Sequence, residues 1–110
     1  MPTFMHQWRY KDELVKEFIR TPGASDRADV VRLSMKAFGG KLLAFYFCFG
    51  EFDGVAISEF EDEETALACI MQIFGQGRIQ NVRSATLFSP SAVEHSIKIA
   101  RAVLKKQTAP

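Results

Sequence analysis

The chain has 110 residues, 47% hydrophobic and 25% charged, with a formal net charge of +1. That length suits one domain, and the composition is globular, which excludes a disordered chain. The near-neutral charge lacks the basic excess that phosphate contacts require, so no nucleic-acid partner is expected.

Thr3 to Tyr10 alternates, with Phe4, His6, Trp8 and Tyr10 on one side and Met5, Gln7 and Arg9 on the other, and reads as a first strand. Helical spacing follows at Asp12 to Arg20, through Leu14, Val15, Phe18 and Ile19, until Thr21-Pro22-Gly23-Ala24 interrupts it. A second stretch runs from Arg27 to Phe38, with Ser25 or Asp26 available as its cap. The two stretches form either one kinked helix or a loop and one helix. Gly39-Gly40 ends them, since glycine takes the left-handed conformation of a helix stop.

Lys41 to Phe49 is almost continuously apolar and reads as the second strand; Gly50-Glu51-Phe52-Asp53-Gly54 reads as a hairpin turn, and Val55 to Phe60 as the third strand. Glu61-Asp62-Glu63-Glu64 opens a helix whose acidic first turn suits the positive end of its dipole. Leu67, Ile70, Met71 and Phe74 are expected to be its buried stripe. After Gly75 and Gly77 comes a fourth strand, Ile79 to Phe88, with Val82, Ser84, Thr86 and Phe88 on one side. Ser89-Pro90 starts a last helix, whose inner face is expected to be Val93, Ile97, Ala100 and Leu104. The tail from about 107 is expected to be disordered.

This order predicts an α+β fold: ferredoxin-like βαββαβ with an extra C-terminal helix, a four-stranded antiparallel sheet, and helices on one face. The whole chain, 1–110, is expected to form this single domain. The other sheet face should then be solvated, but the second strand is apolar on both sides. If Phe45, Phe47 and Phe49 face outward, they make a patch above about 450 Å². If Leu42, Ala44, Tyr46 and Cys48 do, that row is apolar too. A homodimer or higher oligomer closing over this face is therefore expected.

No apolar run reaches about 18 residues, so no membrane partner is expected. Met1 to His6 lacks the basic start and apolar run of a signal peptide. Cys48 and Cys69, both in apolar segments, are expected to be reduced residues of a cytoplasmic protein.

Gly39-Gly40-Lys41-Leu42, Phe45-Tyr46, Gly50-Glu51-Phe52-Asp53, and Asn81-Val82-Arg83 with Thr86-Leu87-Phe88 resemble the GYD domain family, from roughly Thr3 to Ala92. The resemblance implies a dimeric α+β barrel, in which two sheets close face to face. Phe52 stands where the family has tyrosine in its Gly-x-Tyr-Asp turn, so any role of that phenol is absent here.

His6 shares a strand face with Trp8 and Tyr10 and is either a core histidine with its hydrogen bonds satisfied or the candidate acid/base. Glu51 and Asp53 are either a carboxylate pair that binds or trades protons, or a turn in which Asp53 bonds local backbone amides and Gly54 supplies unusual dihedrals. Trp8, Tyr46, Glu51, Asp53 and Arg83 are the candidate ligand-binding residues. His6 and His95 are far apart, neither lies near a cysteine, and no Cys-x-x-Cys pair exists, so no metal and no other cofactor is expected. Gly75-Gln76-Gly77-Arg78 follows a helix where a phosphate loop precedes one.

Two functions fit these residues. The first is a homo-oligomeric small-ligand-binding or assembly module. The second, which the resemblance implies, is a cofactor-independent enzyme acting on an aromatic or dienone-like molecule, with His6 as acid/base and Tyr46 and Arg83 orienting the substrate.

Overall fold

A computed structural model describes residues 1–108. The elements run β1 (Thr3–Tyr10), α1 (Asp12–Arg20), α2 (Arg27–Ala37), β2 (Lys41–Phe47), β3 (Gly54–Glu59), α3 (Glu63–Gly75), β4 (Ile79–Leu87) and α4 (Pro90–Thr108). The four strands form one antiparallel sheet in the order β2-β3-β1-β4. This is the expected ferredoxin-like arrangement. The segments after β1 form two separate helices with a turn between them, not one kinked helix and not a loop followed by one helix.

Local chemistry sets the boundaries. Gly39 ends α2 with φ of 73°. Asp62 caps α3 by accepting from the Thr65 amide at 2.7 Å, a bond that also holds the Asp62 carboxyl below the usual carboxylate range. Ser89 caps α4 by accepting from the Ala92 amide at 3.1 Å.

The core lies between the helices and one face of the sheet. Phe4, Trp8 and Tyr10 of β1, Leu14 of α1, Met35 of α2, Phe60 and Cys69 are all buried there. Trp8, Tyr10, Phe18, Phe47 and Phe45 pack edge to face in sequence around one end, with Tyr10 and Phe18 centroids 5.1 Å apart, and Phe45 lies tilted against Trp8.

The second strand corrects the sequence reading. Leu42 pairs with Ser58 and Ala44 with Ile57, so Leu43 is an extra residue in the ladder. The bulge turns Leu42, Phe45 and Phe47 toward the helices and Ala44 and Tyr46 toward the open face. Neither expected outer row is therefore intact. The strand also stops at Phe47, leaving Phe49 fully exposed beyond it. The open face nevertheless has an apolar centre: Ala44, Ile57, Met5 and Ala85 form one row across all four strands.

Two helices also depart from expectation. In α3 the buried residues are Ala66 and Cys69, with Ile70 and Ile73 half-buried, while Leu67, Met71 and Phe74 are exposed. The buried stripe is thus rotated onto Ala66, Cys69, Ile70 and Ile73. No residue of α4 is buried, so its expected inner face covers nothing in its own chain. The helix runs on through Thr108, past the start of the tail expected to be disordered; positions 109 and 110 lie outside the described residues.

Candidate functional site

Alternation along β1 sends His6 to the helix side of the sheet, where its Cα pairs with Ala56 of β3 and Ser84 of β4. Two serines clamp the ring: His6 Nδ1 lies 2.7 Å from Ser84 Oγ and His6 Nε2 lies 2.9 Å from Ser58 Oγ. His6 is 2% exposed and Ser58 is 0% exposed. Burial lowers the His6 pKa to about 4, because a charged ring cannot be hydrated there. The imidazole is thus neutral at physiological pH, with one ring nitrogen donating and the other accepting.

Ser84 is exposed, and it opens onto a cleft of about 160 Å³ between α3 and β4. Phe4, Ala66, Leu67 and Ile70 make its walls apolar, while His6 and Ser84 supply the polar floor and Glu63 stands beside them. The cleft can hold a small apolar body and offer it one hydroxyl tied to a neutral imidazole.

The remaining candidates lie elsewhere. Trp8 is buried beside His6, packed on Phe45 with centroids 5.6 Å apart. Tyr46 and Arg83 share the open face of the sheet, in the row Tyr46, Val55, Gln7, Arg83, and so lie on the opposite side from His6. Glu51 and Arg83 approach to 4.0 Å, and the Arg83 guanidinium sits 5.3 Å over the Phe52 ring. With Arg9 and Asn81 they border a shallow, solvent-open depression.

Asp53 is part of the scaffold. Its Oδ2 accepts from the Tyr10 amide at 2.9 Å, its own amide donates to the Trp8 carbonyl at 2.8 Å, and its carbonyl accepts from the Cys48 amide at 2.7 Å. The first two bonds fasten the hairpin to β1 and the third closes the hairpin on itself; the Asp53 side chain bonds the Tyr10 amide and not a local one. Gly54 is required for space, not for unusual dihedrals: its φ lies outside the left-handed region, and the Trp8 indole covers it.

Ser58 and Ser84 were not candidates in the sequence. The signal that could have found them is strand pairing: the ferredoxin-like order flanks β1 with β3 and β4, and each contributes a serine to the His6 face.

Among the described residues, no three His, Cys, Asp or Glu side chains cluster as metal ligands, and no helix is long and apolar enough to cross a membrane. Cys48 and Cys69 are free thiols.

Several solved structures are similar in fold, among them two at a TM-score above 0.5. TTHA0845 from Thermus thermophilus is 16% identical, with a TM-score of 0.52 over 81% of this chain and 95% of that one. FFRP-DM1 is 16% identical, with a TM-score of 0.55 over 80% of this chain and 100% of that one. No curated protein matches the sequence. The Gly-Glu-Phe-Asp hairpin, its anchoring to β1 and the sheet order agree with a match to the GYD domain model over residues 4–97, and the chain belongs to the GYD domain family.

Proposed function

We propose that the chain is a homo-oligomeric small-ligand-binding module of the cytoplasm, whose ligand is a single-ring molecule bearing one hydroxyl or carbonyl. The observation that carries this is the cleft beside His6: apolar walls around one exposed serine hydroxyl, 2.7 Å from a buried neutral imidazole. A void of about 150 Å³ takes one benzene ring, and this cleft has about 160 Å³. A ring would rest on Phe4 and Ile70, and its oxygen would bond Ser84. The apolar row Ala44, Ile57, Met5 and Ala85 supports pairing of two copies through the open face.

The test is a thermal-shift and native-mass series with phenol, cyclohexenone and toluene. Phenol or cyclohexenone should raise Tm and toluene should do so less; Ser84→Val should remove the difference. No shift with any of them at millimolar concentration would refute the binding reading. A monomeric mass at micromolar concentration would refute the oligomer.

The same pair of residues favours a second reading, a cofactor-independent enzyme acting on an aromatic or dienone-like molecule. His6 is already hydrogen-bonded to a hydroxyl that reaches the cleft, the geometry that proton transfer through Ser84 requires. Tyr46 and Arg83 of the same chain lie across the sheet and take no part. Ring-proton exchange of cyclohexenone into deuterated water, lost in both His6→Gln and Ser84→Ala, would select this reading over simple binding.

A further inference from the structure

Helix α4 leaves the body of the protein. The molecule measures 70 × 30 × 22 Å, and its radius of gyration of 18.2 Å exceeds the roughly 13 Å of a compact chain this long. The 19 residues of α4 account for about 28 Å of that length. Val93, Ile97, Ala100 and Leu104 fall within an arc of about 60° on the helix, and all are exposed. Lys98, Arg101, Lys105 and Lys106 lie outside that arc. In proteins most of a helix's stability comes from packing its apolar face, and within its own chain this one packs on nothing.

A second unpartnered face lies on α3. Leu67, Met71 and Phe74 point outward, each half exposed or more. Glu63 and Glu64 continue the same face into the first turn, and α3 has no basic residue. The two faces match in length, since seven residues separate Leu67 from Phe74 and also Ile97 from Leu104. They are also opposite in charge, but only in one orientation. Laid antiparallel, α4 brings Lys105 and Lys106 to the acidic start of α3, while its apolar stripe covers Leu67, Met71 and Phe74. The helix dipoles then also oppose each other favourably.

The chain cannot make this contact with itself. Glu63 at the start of α3 and Ala92 at the start of α4 border the same surface hollow, so the two helices begin side by side. Folding α4 back on its own α3 would run them parallel and carry the lysines to the wrong end.

We infer that α4 is an exchange arm: in a two-fold dimer, each copy lays its α4 antiparallel along the exposed face of the other copy's α3. The contact is isologous and occurs twice. Because Leu67 also lines the His6 cleft, the arm forms the outer wall of its partner's cleft. The arm contact itself needs neither the ligand nor the sheet pairing.

Disulfide trapping in the full chain with Cys48→Ser reads the geometry without any ligand. Leu67→Cys with Leu104→Cys should oxidise to a covalent dimer at low micromolar concentration, at least tenfold faster than Leu104→Cys alone. Lys105→Glu with Lys106→Glu should slow that trapping, and adding Glu63→Lys with Glu64→Lys should restore it. An intrachain bond in Leu67→Cys with Val93→Cys would mean parallel packing within one chain and would overturn the inference. Equal trapping by Leu104→Cys alone would mean α4 pairs with α4 and would overturn it too, as would no trapping at all.

Discussion

Gly54 and Trp8 meet so closely that no side chain fits between them: a Cβ at Gly54 would lie 2.9 Å from the indole Nε1 and nearer still to Cε2 and Cζ2. The ring is buried and cannot swing away. Gly54→Ala should therefore cost about 1–3 kcal/mol. Gly75, at the end of α3, has open space around its Cβ position and no positive φ, so Gly75→Ala should be neutral or stabilise by up to about 1 kcal/mol. Urea midpoints at constant m-value separate the two.

The neutral state of His6 makes stability depend on pH. The folded ring takes its proton near pH 4, whereas in the unfolded chain it does so near 6.5. Stability from this residue is therefore complete above about pH 6.5 and is lost as pH falls toward 4, by about 3 kcal/mol in all. Urea midpoints between pH 7.5 and 4.5 should fall in the native chain. His6→Gln, less stable at pH 7.5, should show a much flatter profile over that window.

The two serines that hold His6 should differ sharply. Ser58 is wholly buried, so Ser58→Ala leaves a ring nitrogen unpaired away from water and should cost about 1–3 kcal/mol. Ser84 is exposed, and water can replace its hydroxyl. Ser84→Ala should change stability by less than about 0.5 kcal/mol. Equal losses in a denaturant series would contradict the asymmetry.

The acidic residues of the hairpin should separate in the same way. Asp53→Ala removes the acceptor of the Tyr10 amide, one of the two bonds that tie the turn to β1, at a cost of about 1–3 kcal/mol. Glu51 meets Arg83 at 4.0 Å with both side chains mostly exposed, so Glu51→Ala should shift stability by less than about 0.5 kcal/mol.

The cysteines differ in accessibility. Burial raises the Cys69 thiol to about 11 and leaves it 0% exposed, while Cys48 is half-buried. A thiol reagent at pH 8 should modify one cysteine per folded chain, at Cys48, and two in denaturant. Rapid reaction of both in the native protein would show that α3 does not seal the core.

Much of the fold was legible because its signals are local. The alternation of β1 gave both its limits and its buried face, and Ser89-Pro90 gave the start of α4. What was not legible depends on pairing across the chain. Nothing within β2 marks Leu43 as the extra residue; only its register against β3 does. The bulkiest residues of α3 suggest a stripe through Leu67, Met71 and Phe74, yet the residues buried in the core are the small Ala66 and Cys69. The shared, buried strand face of His6 and Trp8 is legible from alternation alone, but only His6 of the two borders the cleft. The serines that hold His6 in place come from two other strands, and nothing local shows that Tyr46 and Arg83 lie on the opposite side of the sheet from it.

The extra residue at Leu43 has a consequence for how this strand can change over time. Every position of β2 is referred to its partner on β3, and the two halves of β2 are out of step by one residue. Substituting Leu43 alters one exposed side chain. Deleting it would invert one half of the strand, exposing either Leu42 or the pair Phe45 and Phe47 that closes over Trp8 and Tyr10. Length between Gly40 and Gly50 is thus under tighter restraint than identity: sequence drift here can rewrite letters, whereas a change in spacing must be met by a compensating change elsewhere in the hairpin.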